Sequence, residues 1–282
     1  MHSDDEPVGR VLSRRQALAA LGLAGAGLTI VGGAGAAYAS TGSAVTSSTS
    51  QVTGVVDCVA KPEMTEGPYF VDEGLNRSDI RTDPSDGSTV VGTTLTLNLS
   101  VLQVAGGACS ALPGAIVDIW HCDAFGIYSD VAANNSVGKK FLRGYQVSNP
   151  AGKVKFTTIL PGWYQGRTIH IHVKIRTTGT DGNPYEFTSQ LYFTEEFQLA
   201  YLATEPYSAK GTRDTTNATD MWYGEAGDQM LLTTRRQGRG YTTDFCIGLD
   251  LSDTAVGADD SPGPGGPGGP PPTATPSATP SA

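Results

Sequence analysis

The sequence predicts an all-β fold: an antiparallel β-sandwich with long connecting loops and only short helical turns. Three observations point there. Apolar and polar residues alternate with a period of two in successive runs between Leu95 and Leu251. Gly, Pro, Asn and Asp separate those runs. Only one short stretch, Glu195 to Thr204, is helix-like. The 282 residues are 39% apolar and 17% charged, enough for one sizeable core. A net charge of −9 without a basic stripe excludes nucleic acid as a partner.

The ends fall outside that domain. Ser13-Arg14-Arg15-Gln16 precedes a weakly apolar, Ala/Gly-rich stretch from Ala17 to about Ala37, and Ala37-Tyr38-Ala39 offers small residues at a cleavage site. Residues 1–39 therefore read as an export signal, and the paired arginines indicate the twin-arginine route. Once the signal is removed no membrane span is expected, and the protein is expected to be secreted. Residues 40–52 form a Ser/Thr-rich leader, and 53–252 the folded domain. Residues 253–282 have no Lys, Arg or aromatic residue, and prolines crowd 262–280. Such a tail is extended and solvated. It leaves room for polysaccharide or cell-wall association.

Within the domain, Leu95, Leu97, Leu99 and Val101 share one strand face, and Thr94, Thr96, Asn98 and Ser100 the other. Ala115, Val117 and Ile119 alternate with Asp118 and Trp120. Val154, Phe156, Thr158 and Leu160 alternate with Lys155 and Thr157. Ile169, Ile171, Val173 and Ile175 alternate with His170, His172, Lys174 and Arg176. Phe245, Ile247, Leu249 and Leu251 alternate with Cys246 and Asp250. Cys58, Cys109, Cys122 and Cys246 are even in number and sit in a chain bound for an oxidising compartment. One or two disulfides are expected, with all three pairings open. No Gly-rich phosphate loop follows a strand.

Beyond the signal only His121, His170 and His172 are histidines. In His170-Ile171-His172 both imidazoles project from one strand face, while Ile169, Ile171 and Val173 anchor the other. Two rigid imidazoles make a metal half-site, although a bare pair of this spacing is more often a solvated surface feature. Tyr128 and Tyr164 lie in Gly- and Pro-marked loops upstream. Each alone would be an ordinary aromatic with its hydroxyl at a rim. Together with the histidines they suggest more, because a phenolate is a hard anionic donor that favours a trivalent cation.

These segments resemble the intradiol ring-cleavage dioxygenases. The resemblance runs in order through Glu66-Gly67-Pro68-Tyr69-Phe70, Leu112-Pro113-Gly114-Ala115, and Asp123-Ala124-Phe125-Gly126-Ile127-Tyr128-Ser129. It continues through Phe156 to Tyr164, Gly166-Arg167-Thr168-Ile169-His170-Ile171-His172, and Ser189-Gln190-Leu191-Tyr192-Phe193. It implies one non-haem iron(III) per chain, held by Tyr128, Tyr164, His170 and His172. It further implies a small aromatic diol and O2 as partners, and cleavage between the hydroxyl-bearing carbons to a muconate-type diacid. Tyr164 would release the metal when the diol binds, Arg167 would stabilise charge on the ring, and Gln190 would be an active-site amide. Tyr69 would wall the pocket, His121 would be structural, and Asp123 would order the loop before Tyr128. The intracellular members carry an N-terminal helical dimerisation segment. Here the signal runs almost directly into the sandwich, as in secreted members of actinobacterial type.

Two rival readings are weighed against this. A secreted β-sandwich with such a tail could be a carbohydrate- or surface-binding module, which would require neither metal nor a particular role for the Tyr/His set. A zinc hydrolase would need a carboxylate beside the histidine pair, and none stands near it in sequence.

Overall fold

A computed structural model describes residues 58–254. The expected signal at 1–39, the leader at 40–52 and the tail after 254 lie outside the described residues. Two five-stranded sheets form the domain. In the first, β1 (Thr94–Ala105) is the hub. It pairs antiparallel with β2 (Ala108–Ala111) and β5 (Lys153–Ile159) and parallel with β10 (Gly240–Leu249), which in turn pairs with β9 (Thr234–Gln237). The second sheet has the order β4 (Arg143–Val147), β3 (Ile116–Trp120), β6 (His170–Thr178), β7 (Pro184–Phe193) and β8 (Leu231–Leu232).

The expected all-β sandwich is present, but two of its strand pairs depart from the expected antiparallel arrangement. β1–β10 and β7–β8 run parallel. Each of these pairs is separated by a long stretch of chain, which is what a parallel partner requires. Alternation in a strand carries no information about the direction of its neighbour.

The core lies between the sheets. Leu95, Leu97, Leu99 and Val101 of β1, Phe156 of β5 and Ile247 of β10 belong to one buried cluster. Val117 and Ile119 of β3, Ile171, Val173 and Ile175 of β6, and Phe187 and Leu191 of β7 belong to the same cluster. Full burial of one such side chain contributes about 1.5–3 kcal/mol. Helix α1 (Glu195–Leu202) occupies the expected helix-like stretch. The Thr194 hydroxyl accepts from the Phe197 N–H at its start, and two glutamates sit in its first turn, where the helix dipole favours them. Cys58 and Cys109 form a disulfide that ties the start of the domain to β2, whereas Cys122 and Cys246 are free.

The second sheet has two buried faces. Asp118 and Trp120 on β3, His170, His172 and Lys174 on β6, and Thr188 and Gln190 on β7 point away from the core, yet all are buried. Loops cover this face, so its polar side chains are enclosed. No helix among the described residues is long and apolar enough to cross a membrane.

Candidate active site

Strand geometry positions the two imidazoles. His170 and His172 lie two residues apart on β6, each 2% exposed, with their Nε2 atoms 3.1 Å apart and their rings at 82°. His170 donates from Nδ1 to the Thr168 carbonyl at 2.7 Å. That bond leaves Nε2 with its lone pair facing the pocket. Trp120, cross-strand from His172, stacks on its ring with centroids 4.8 Å apart and planes within 6°. Nδ1 of His172 is buried without a hydrogen-bond partner among the described residues.

The two tyrosines arrive on two loops that touch each other. Tyr164 Oη lies 3.2 Å from His170 Nε2, and Tyr128 Oη lies 3.5 Å from it. The loops are laid backbone against backbone. Gly162 N–H donates to the Asp123 carbonyl at 2.9 Å. Lys210 Nζ donates to the carbonyls of Phe125 and Trp163 and sits 4.6 Å from the centre of the Trp163 ring. Glycine is required at this contact, since a Cβ at Gly162 would sit 2.2 Å from the Ala124 carbonyl oxygen. Gly162→Ala is expected to cost roughly 1–3 kcal/mol in a denaturant titration, because the loops must part to admit the methyl group. Unchanged stability would show that the contact is slack.

Burial sets the protonation of the cluster. It holds His170 down to about 3, with the Arg167 charge adding to the effect, and holds His172 well below its ordinary value. Burial also pushes both phenols up, further raised at Tyr128 by Tyr164 and opposed at Tyr164 by Arg167. The pocket thus offers four uncharged donors at ordinary pH. Ligands about 2.0–2.1 Å from a metal lie roughly 2.9–3.4 Å apart in cis-octahedral or tetrahedral arrangement. From His170 Nε2, His172 at 3.1 Å and Tyr164 at 3.2 Å fall within that range, and Tyr128 at 3.5 Å lies just beyond it. No Asp, Glu or Cys among the described residues joins the histidine pair, so the other donors are the two phenols. A bound cation would have to displace both phenol protons, and two phenolate oxygens with two imidazole nitrogens would then fit a hard trivalent ion better than a divalent one.

Comparison with known proteins decides the family. The family model described as Dioxygenase matches residues 65–214, more than half of the chain. A solved intradiol ring-cleavage dioxygenase from Tetranychus urticae is 30% identical, with a TM-score of 0.60, and the match covers 70% of this chain and 96% of that one. The chain belongs to the intradiol ring-cleavage dioxygenases.

This dioxygenase is also similar to curated bacterial enzymes. Catechol 1,2-dioxygenase 1 of Acinetobacter lwoffii is 28% identical over 131 residues, which are 43% of this chain and 38% of that protein. Catechol 1,2-dioxygenase of Acinetobacter baylyi is 27% identical over 164 residues, 49% of this chain and 51% of that protein. The chain spans about half the length, or less, of these curated relatives.

Every residue anticipated for the site gathers around the histidine pair. Tyr69, 6% exposed, packs 4.6 Å from the Tyr128 ring and 6.3 Å from the Tyr164 ring. Gln190 lies beside His172 in the sheet register. Its amide is engaged within the protein: Oε1 accepts from Arg167 Nη2 at 2.6 Å and Tyr192 Oη at 3.0 Å, and Nε2 donates to the Thr65 carbonyl at 3.0 Å. Gln190 therefore holds Arg167 and the segment leading to Tyr69. Arg167 Nε donates to Asp220 Oδ2 at 2.8 Å. Burial alone would weaken the guanidinium charge, but Tyr164, Tyr192 and Asp220 more than offset it. Asp123 orders the loop, its Oδ1 accepting from the N–H groups of Phe125 and Ile127 at 2.8 and 2.9 Å.

Sequence reasoning missed three contributors. Trp120 was visible as a strand residue but not as the surface on which His172 lies. Arg143 is 2% exposed and donates from Nε and Nη2 to Ser129, the residue after Tyr128, at 2.7–3.2 Å. Arg143, Trp120 and Glu73 line one small cavity, and each has a buried polar atom without a hydrogen-bond partner among the described residues. Asp220 had no local signal at all.

His121 stands apart from the cluster, as anticipated. Its Nδ1 bonds the Cys122 carbonyl at 2.8 Å and its Nε2 the Thr158 hydroxyl at 2.7 Å. Burial lowers it to about 4. Between that value and its ordinary 6.5 the unfolded chain binds a proton that the folded chain refuses. The folded state therefore loses roughly 3 kcal/mol as pH falls from about 6.5 to 4. Urea unfolding at pH 7.5 and pH 5 should show about 2 kcal/mol of that loss, and His121→Gln should reduce it. An identical slope in the variant would count against His121.

Proposed function

We propose that this dioxygenase holds one non-haem iron(III) at Tyr128, Tyr164, His170 and His172 and opens catechol-type rings between the two hydroxyl-bearing carbons with O2. The observation that carries the reading is the convergence of both phenol oxygens and the second imidazole within 3.5 Å of His170 Nε2. The names of the two bacterial relatives support catechol or a close derivative as substrate. The diol and both atoms of O2 balance to a single muconate-type diacid, with no external reductant.

A ferric ion held by Tyr128, Tyr164, His170 and His172 would supply Lewis acidity toward the bound diol. The protein does the rest. Tyr128 is fixed, 1% exposed, with its carbonyl accepting from the Ser136 hydroxyl at 2.6 Å and its ring against Tyr69. Tyr164 is only part-buried, so it is the tyrosine with room to swing away and take a proton from the arriving diol. The Arg167 guanidinium, held by Asp220 and Gln190, stabilises negative charge that develops on the ring. Tyr69 walls the pocket and excludes water. A carbohydrate-binding module would have no use for this convergence, so that alternative is not favoured.

Turnover of catechol under labelled dioxygen tests the reading. Both labelled atoms should appear in one ring-opened diacid; one labelled atom, or cleavage outside the diol, would overturn it. Tyr164→Phe should change the visible tyrosinate colour of the iron-loaded protein, and an unchanged spectrum with full activity would remove Tyr164 from the site. The export reading rests on Arg14 and Arg15, and replacing both with lysine should stop delivery to the medium.

A further inference from the structure

Asp220 lies six residues beyond the stretch matched to the family and is 3% exposed. Its Oδ2 accepts from Arg167 Nε at 2.8 Å and from the Thr168 N–H at 2.7 Å. The Thr168 carbonyl in turn accepts from His170 Nδ1 at 2.7 Å. One carboxylate oxygen thus reaches the proposed catalytic cation directly and, through the single residue Thr168, the imidazole on which the other donors converge. Oδ1 is occupied too, accepting from the N–H groups of Trp222 and Tyr223 at 2.9 Å each. Just before it, Asn217 fastens the segment to the sheet, donating to the Phe193 carbonyl at 2.9 Å and accepting from the Thr168 hydroxyl at 2.6 Å.

We propose that Asp220 is a positioning residue of the centre: it aims Arg167 and locks the ring orientation of His170. The inference rests on the ferric reading given above. Arg167 precedes β6 in a loop, so the sheet does not orient its long, flexible side chain. Asp220 on Nε and Gln190 on Nη2 hold two corners of the fork, and Tyr192 also bonds to the guanidinium. A carboxylate is the group required. Four N–H donors face its two oxygens, and an amide would turn a fifth donor toward one of those pairs. A buried guanidinium also needs an opposite charge beside it. The arrangement parallels the outer groups that orient ligand imidazoles in other metal sites.

The test uses the full-length, iron-loaded protein carrying Asp220→Asn, the near-isosteric change. Iron release to a chelator should accelerate 10–100-fold, and kcat per bound iron should fall by a comparable factor, with KM for catechol little changed. In an Arg167→Ala background, removing Asp220 should lower kcat little further. The proposal is overturned if Asp220→Asn matches wild type in both release and kcat. It is equally overturned if the variant merely melts earlier with kcat per iron and the visible band unchanged, or if the two losses multiply in full. A wild-type protein without iron or colour would instead overturn the ferric reading itself. A coloured, active wild type with an indifferent Asp220→Asn overturns only the positioning role.

Discussion

On the ferric reading, His170→Ala is expected to give a folded protein that is colourless, iron-free and inactive. Its Nε2 is the point that three other groups approach: His172 at 3.1 Å, Tyr164 at 3.2 Å and Tyr128 at 3.5 Å. Without it the two phenols lose their acceptor, and a metal would keep three donors with no common neighbour. The flanking Ile169 and Ile171 stay in the core, so the strand retains its anchor. The loss of activity should exceed the 10–100-fold typical of a merely supporting residue. Metal analysis and visible absorbance check it, and full iron retention would remove His170 from the centre.

On the same reading, Arg167→Ala is expected to keep iron and colour but to lower kcat by about 10²–10³, the usual effect of deleting one fixed group that stabilises transition-state charge, about 2.7–4 kcal/mol. A second effect follows from burial. The Asp220 side chain is fully enclosed beside Arg167, and Arg167 does most to hold the carboxylate below its ordinary value against burial. Removing the cation leaves a buried carboxylate with backbone donors only. Breaking such a pair costs about 3–5 kcal/mol of stability. The variant should therefore melt earlier as well as turn over slowly. Arg167→Ala combined with Asp220→Asn should recover part of the stability but none of the rate. Single-turnover measurement on iron-loaded protein separates the two effects. A rate equal to wild type would make Arg167 purely structural.

Much of the strand framework was legible because a strand repeats every two residues. Leu95, Leu97, Leu99 and Val101 announce a buried face whatever lies opposite, and all four are 0–1% exposed. The same rule fails where both faces are covered. β7, from Pro184 to Phe193, shows no clean alternation, since all but its first and third residues are buried. On β6 alternation is present, but its polar face is enclosed by loops, so a pattern that suggests solvated histidines belongs to buried ones. The lone disulfide follows the same logic. Four cysteines allow three pairings, and only Cα atoms 5.4 Å apart select Cys58–Cys109.

The order of residues by itself determined the all-β character and the shared face of His170 and His172, and it supplied in Tyr128 and Tyr164 two phenols whose chemistry suits a hard cation. Those properties are local, set by strand periodicity and by the donor chemistry of each residue type. Only the tertiary structure decided that β10 runs parallel to β1, that Trp120 lies flat on His172, and that Asp220 closes on Arg167 from 53 positions away. These are meetings between distant segments. They depend on how the whole chain buries its apolar surface and pairs its enclosed polar groups, and no local repeat records that outcome.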